Sequence, residues 1–255
     1  MLIQIDGSDL LCPPNGWAWD EPSHYGDLAM SHGSQTWHIR TKQFHEQNAQ
    51  RVPLRQVLQN ADPSTAEVLF KAVPLAHWQT TSRFCGRCGE ATAPSHNQTA
   101  PSQNQYVAVC PNCGLEIWPR LTPAIIVLIH RGDQILLARH RRSISGFFSC
   151  IAGFVEAGET LEQTVVREIR EEVGLAVEPP RYRSSQSWPF PSNLMLAFRA
   201  ECRHGEPVPD QYEILEAQWF TKETLPALPP RFSVARQLIE DFFEQSESRK
   251  ATQKS

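Results

Sequence analysis

The sequence predicts an α+β chain made of three parts and a short tail. Three observations carry this reading. The run AIIVLIH (124–130), the turn RGDQ (131–134) and ILLAR (135–139) form a β-hairpin signal. The stretch LEQTVVREIREEV (161–173) repeats apolar residues at helical spacing. Two copies of C-x-x-C-G, at 85–89 and 110–114, have the form of metal-binding knuckles.

The bounds are set by length and charge. A chain of 255 residues holds one large domain or two to three small ones. Net charge is −4, and no Lys/Arg block stands out, which excludes avid, indiscriminate nucleic-acid binding. The opening MLIQIDGSDLLCPP has neither the charged region nor the cleavage site of a signal peptide. No apolar run has transmembrane length, so no membrane partner is expected and the predicted location is the cytoplasm. Seven cysteines, an odd number without a leader, argue against a disulfide framework.

The elements follow in order. Residues 1–80 contain short apolar runs such as LIQID and TWHIR and no catalytic motif; they read as a small structural or dimerisation domain. Residues 81–118 hold the cysteine pairs, separated by the polar stretch ATAPSHNQTAPSQNQ, a loop. Residues 119–245 begin with the hairpin. Further strands are expected near 181–187, at LMLAFRAEC (194–202) and at EAQWF (216–220), and FSVARQLIEDFFEQ (232–245) closes the domain as a helix. The polar residues 246–255 are expected to be a disordered tail.

The helix at 161–173 is the most informative element. Thr160 and Gln163 form a capping-box pattern, and Gly174 marks the end. At about 100° per residue, Val165, Val166, Ile169 and Val173 share one arc. Glu168, Glu171 and Glu172 crowd the arc beside it. Like charges at this spacing repel. Either the acidic face is simply solvated, or a hard divalent cation offsets it; Mg²⁺ and Mn²⁺ favour carboxylate oxygens and sit well beside phosphates.

The pattern around this helix resembles the Nudix box, G-x5-E-x7-R-E-U-x-E-E-x-G-U, with U apolar. Gly153, Glu159, Arg167, Glu168, Ile169, Glu171, Glu172, Gly174 and Leu175 fill its specified positions. Chance agreement is on the order of 10⁻¹⁰ to 10⁻⁹ per starting position, which favours the metal reading over a solvated face. The resemblance implies a Nudix α/β/α sandwich with a mixed sheet between helices. It also implies hydrolysis of a nucleoside diphosphate linked to another moiety. Glu168 and Glu172 would be Mg²⁺/Mn²⁺ ligands, with Ala152 a further metal contact and Glu171 close by. Arg167 would hold carboxylates in position, and Glu159 could reach the same site.

The four cysteines Cys85, Cys88, Cys110 and Cys113 suit a closed tetrahedral structural Zn²⁺ site, one ion per chain. Redox pairs are the competing reading, but these need a different βα context.

Substrate choice must come from elsewhere, and SQSWPFPSN (185–193) is the candidate. Prolines stiffen the backbone around Trp188 and Phe190. Such rings either stack on a base or nicotinamide or merely pack on the core. The stretch resembles the S-Q-P-W-P-F-P-x-S motif of NADH pyrophosphatases, Nudix enzymes with a zinc ribbon directly upstream. Ser185, Gln186, Trp188, Pro189, Phe190 and Pro191 match; Ser187 stands where that family has proline, and Asn193 where it has serine. Ser192 lies within the same segment. The resemblance also places Trp118, Phe154 and Ala235 against substrate and makes Glu213 a further metal ligand. It covers 81–245 and is weak before residue 80.

The expected function is therefore cleavage of NAD(H) to nicotinamide mononucleotide and AMP by a homodimer, with removal of NAD caps from RNA as a second activity. Hydrolysis of ADP-ribose or dinucleoside polyphosphates is the nearest alternative. A non-catalytic nucleotide sensor is the alternative of another class, and the intact acidic face argues against it.

Overall fold

The computed structural model of the chain describes residues 1–13, 16–20, 27–41, 49–95, 106–141 and 146–252. It divides into two units, Met1–Leu121 with Ser187–Asn193, and Thr122–Gln186 with Leu194–Ser255. The N-terminal part (1–80) and the cysteine module (81–118) thus share a unit.

The first unit contains a five-stranded sheet, ordered β3-β4-β1-β2-β5. Its strands are β1 (Leu2–Asp6), β2 (Asp9–Cys12), β3 (Leu28–His32), β4 (Gln35–Arg40) and β5 (Gln50–Pro53). β1 runs antiparallel to β2 and parallel to β4, so this sheet is mixed. The run TWHIR shows strand alternation, with Trp37 and Ile39 buried and their neighbours more exposed. Helices α1 (Leu54–Asn60) and α2 (Pro63–Thr81) follow. Asp62 caps α2 by accepting the Thr65 N–H at 3.1 Å, and Pro63 fits the first turn, where its missing N–H costs nothing. α2 buries Val68, Leu69, Ala72, Val73 and Ala76. Its Trp78 indole N–H donates to the Ile117 carbonyl at 3.1 Å, which ties the helix to the cysteine module. That module is a three-stranded sheet of β6 (Ala93–Ser95), β7 (Val107–Val109) and β8 (Glu116–Ile117). Within the expected loop at 91–105, residues 93–95 pair as a strand, and 96–105 lie outside the described residues.

The second unit is built on β9 (Thr122–Arg131), β10 (Gln134–His140), β11 (Ile151–Phe154), α3 (Leu161–Val173), β12 (Arg181–Trp188), β13 (Asn193–Glu201), β14 (Ile214–Phe220) and α4 (Val234–Thr252). The sheet order is β12-β13-β9-β10-β14, and β11 also pairs with β9. Along one edge, with β13 on the other, β9 is long enough to serve two antiparallel partners. β11 takes its first half, from Phe154↔Ala124 to Ile151↔Val127, and β10 takes its far end. Alternation along β9 then assigns the two faces. Ile125, Val127 and Ile129 join Val165, Ile169 and Val173 of α3 in one core. His130, on the other face, lies 5.2 Å from the Phe242 ring of α4. The sheet is therefore sandwiched between α3 and α4.

α3 begins and ends where its signals place it. Thr160 Oγ1 accepts the Gln163 N–H at 3.2 Å, and Gln163 Oε1 accepts the Thr160 N–H at 2.8 Å. Gly174, at φ +68°, closes the helix with its N–H on the Arg170 carbonyl. The buried stripe is rotated from the expected one: Val166 is 39% exposed, while Thr164 and Glu172 are buried. The sheet meets positions 165, 169, 172 and 173, an i, i+4, i+7, i+8 stripe that leaves 166 outside. α4 reaches into the segment expected as a tail. α4 is described to Thr252, and SESRKAT holds no glycine or proline that would stop a helix; residues 253–255 lie outside the described residues.

Candidate active site

Arg167 organises the acidic end of α3. A guanidinium has five N–H donors, and here they meet five acceptors. Nε donates to Glu159 Oε1 at 2.7 Å, Nη1 to Glu168 Oε1 at 2.8 Å and Glu171 Oε2 at 3.1 Å, and Nη2 to Glu159 Oε2 at 3.0 Å and the Phe154 carbonyl at 2.9 Å. One side chain thus joins the loop before the helix, two carboxylates of the helix and the end of β11. Those hydrogen bonds hold the Glu159 carboxyl down to about 2. Thr164 adds a bond to Glu159 Oε2 at 2.8 Å.

Gly153 lies on β11 directly under Glu168. A Cβ at 153 would sit 1.9 Å from the Glu168 carboxyl carbon, so the missing side chain is the space that the carboxylate occupies. Glu172, one turn further on, is 4% exposed. Burial, then the charges of Glu168, Glu213, Asp210 and Glu171, push its carboxyl up to about 8. Burial likewise raises Glu168 despite its bond to Arg167. Glu172 Oε2 is buried and has no hydrogen-bond partner among the described residues. A buried carboxyl ringed by carboxylates, with an orphaned oxygen, is costly unless a cation joins it. Oxygen donors alone are the set that Mg²⁺ or Mn²⁺ takes, so these residues fit a hard divalent ion. Among the described residues, no three carboxylates bring their oxygens within 4.8 Å of one another. Ala152 lies beside Gly153 on β11, opposite Ile126. Glu213 stands exposed just before β14.

The cysteine quartet does converge. The Sγ atoms of Cys85, Cys88, Cys110 and Cys113 all lie within 4.8 Å, with contacts of 3.5 Å for Cys85–Cys113 and for Cys88–Cys110 and 3.7 Å for Cys88–Cys113. A tetrahedron with 2.3 Å Zn–S bonds has edges of about 3.8 Å. A disulfide would need about 2.05 Å. Both knuckles close alike, Gly89 N–H on the Cys85 carbonyl and Gly114 N–H on that of Cys110. Backbone N–H groups of Arg87 and Cys88 bring the Cys85 thiol down to about 6, toward the thiolate a metal needs. The four fit a structural Zn²⁺.

The residues expected at the substrate fall in both units. Phe154 is 54% exposed in the second unit, and Trp118 is 40% exposed in the first. Ala235 is buried in the first turn of α4, its carbonyl 4.0 Å from Cys150 Sγ. Cys150 is itself buried, and that burial pushes its thiol up to about 12. Two expected contacts are already committed. Gln186 Nε2 donates to the Phe232 carbonyl at 2.7 Å and its Oε1 accepts the Val234 N–H at 2.8 Å, so this amide caps α4. The Ser187 hydroxyl donates to the Phe70 carbonyl of α2 at 3.1 Å.

Residues 189–192 form a turn between β12 and β13. Asn193 Nδ2 donates to the Phe190 carbonyl at 3.3 Å, and Ser192 is buried; the Phe190–Pro191 bond is cis. Trp188 and Phe190 lie 5.1 Å apart, and the Arg55 guanidinium of α1 sits 4.2 Å over the Phe190 ring and 5.9 Å from that of Trp188. Sequence reasoning missed Arg55, because nothing local in LRQVLQN points to an aromatic pair 133 and 135 residues away. The cysteine and carboxylate sites, by contrast, carry their spacing in the chain.

Residues 120–242 match the NUDIX domain, and residues 80–117 match the NADH pyrophosphatase zinc ribbon domain. The chain is 48% identical over 187 residues to the NAD-capped RNA hydrolase NudC of Stutzerimonas stutzeri, covering 73% of this chain and 65% of that protein. It is 43% identical over 209 residues to the protein of the same name from Klebsiella pneumoniae, covering 82% of this chain and 77% of that one. The chain therefore belongs to the Nudix family, in the group that joins a zinc ribbon to the Nudix domain. It spans slightly under two thirds of the Stutzerimonas relative. A Nudix hydrolase structure from Nitrosomonas europaea shares the fold at a TM-score of 0.53 and 24% identity, covering 64% of this chain and 91% of that one.

Proposed function

We propose that this protein hydrolyses the diphosphate bond of NAD(H) with Mg²⁺ or Mn²⁺, giving nicotinamide mononucleotide and AMP, and removes the same group from NAD-capped RNA. The observation that carries this reading is Glu172, buried among carboxylates with one oxygen that has no partner among the described residues. The names of the relatives support the substrate class.

In this reading Glu168, Glu172 and Glu213 hold the catalytic metal, with Ala152 beside them and Glu171 close by. Such an ion neutralises a diphosphate and lowers the pKa of a water. Arg167 keeps Glu159, Glu168 and Glu171 aimed, and Gly153 leaves room for Glu168. The exposed ring of Phe154 and the stiff pair Trp188 and Phe190 stack on nicotinamide or adenine, with Trp118 as a further aromatic contact. Ala235 and residues 186–193 frame the substrate through backbone as much as side chains, since Gln186 and Ser187 already bond within the protein. The same reading includes a homodimer in the cytoplasm. No helix among the described residues is long and apolar enough to cross a membrane.

The test is product analysis by mass, with NADH, NAD⁺, ADP-ribose, diadenosine tetraphosphate and NAD-capped RNA as substrates. AMP and reduced nicotinamide mononucleotide from NADH are expected. A clear preference for ADP-ribose would overturn the substrate, and no turnover with metal bound would overturn the activity. Light scattering of the purified protein tests the dimer.

A further inference from the structure

Glu213 lies three residues after Asp210, whose N–H donates to the Glu172 carbonyl at 3.1 Å, so its backbone stands beside the acidic end of α3; its carboxylate has no hydrogen bond or ion pair among the described residues. Its place is therefore set by its backbone. The carbonyls of that backbone are held by Arg141. The Arg141 N–H donates to the Glu213 carbonyl at 2.8 Å, Arg141 Nε to the Tyr212 carbonyl at 2.9 Å, and Nη2 to the Gln211 carbonyl at 2.5 Å. Three consecutive carbonyls end on Arg141.

The turn needs such a grip. Gln211 has φ +65°, the left-handed region that a side chain disfavours, and it is the one non-glycine residue there among the described residues. From the other side, Asp210 accepts the N–H groups of Tyr212 and Glu213 at 3.1 Å and of Ile214 at 2.8 Å. The segment is also docked on the last turn of α3, Val208 N–H on the Val173 carbonyl and Asp210 N–H on that of Glu172. A register shift between Arg139 and His140 in the β10–β14 ladder brings Arg141 alongside it.

We propose that Arg141 is a positioning residue for Glu213: it holds the 211–213 backbone so that the carboxylate faces Glu168 and Glu172. The inference rests on the reading of Glu213 as a metal ligand. Arg141→Lys offers one compact ammonium in place of the guanidinium fork and rescues only partly.

The test measures Mn²⁺ binding by the electron paramagnetic resonance of free Mn²⁺, with hydrogen exchange of amides 211–214, in the full-length protein. The variants are Arg141→Ala, Arg141→Lys, Glu213→Gln and the double variant Arg141→Ala/Glu213→Gln. Arg141→Ala is expected to weaken Mn²⁺ binding about tenfold, to speed exchange at 211–214, and to add nothing in the Glu213→Gln background. Unchanged binding in Arg141→Ala, with weakened binding in Glu213→Gln, would overturn the positioning role and leave Glu213 as a ligand. Equal weakening by Arg141→Ala in both backgrounds would show an effect on the fold and overturn it too. Unchanged binding in Glu213→Gln would remove the ligand reading and this inference with it.

Discussion

Replacing Gly153 with alanine exchanges a hydrogen for a methyl group where the Glu168 carboxylate already fills the space. The new Cβ would lie 1.9 Å from the Glu168 carboxyl carbon and 2.0 Å from its Oε1. Non-bonded carbons rest at about 3.5–4.0 Å, so the carboxylate must retreat by roughly 1.5 Å or more. The strand is free to accept alanine, since Gly153 is not at positive φ and the clash is with a side-chain tip. Fixing the unfolded chain's extra freedom at this position stabilises by about 0.4–1 kcal/mol, which offsets much of the lost Arg167–Glu168 bond. Fold and function should therefore separate. A 1 Å displacement of a catalytic group costs about 100-fold, equal to about 2.7 kcal/mol of transition-state stabilisation. Initial rates of NADH hydrolysis over a range of Mg²⁺, with thermal unfolding of the same preparations, measure both. We expect kcat/KM to fall about 100-fold and Tm to move by a few degrees at most. Full activity with an unshifted Tm would refute the placement of Glu168 as a ligand. Collapse of both would refute the claim that only a side-chain tip must yield.

Other expectations follow from the same site. Glu172→Gln keeps the shape of a buried group and removes its charge, so turnover should vanish while Tm holds or rises in metal-free protein; undiminished activity would refute the metal role. The Glu172 carboxyl, pushed up to about 8 from a usual 4.5, binds its proton more tightly in the folded chain. Its contribution to stability is complete below about pH 4.5 and is lost as pH rises to about 8, a change of a few kcal/mol. After chelation, wild-type Tm should fall more than that of Glu172→Gln between pH 5 and 8, and parallel curves would contradict this. For the ribbon, metal analysis should find one zinc per chain, and Cys110→Ser should lose it and destabilise the first unit; a folded wild-type preparation without zinc would remove the claim.

The parts of this protein that the sequence by itself determined are those whose physics is local. The limits of α3 follow from Thr160, Gln163 and Gly174, because capping and left-handed closure act within four residues. The zinc quartet follows from two short knuckles, each closed by its own backbone. The strands at 124–139, 194–202 and 216–220 follow from runs of apolar residues. What only the tertiary structure decided depends on groups far apart in sequence. Which stripe of α3 is buried is set by the sheet it meets, so Glu172 goes inside and Val166 stays out. Gln186 and Ser187 are bonded to residues 46 and 117 positions away. Arg55 finds its rings, and Arg141 its three carbonyls, only once the chain has folded. Hydrogen bonds to backbone carbonyls and cation–ring contacts leave no periodic trace in a sequence, since every residue has a carbonyl and the partner's identity is free. The chemistry of the site is therefore written locally, and its aim is set by the fold.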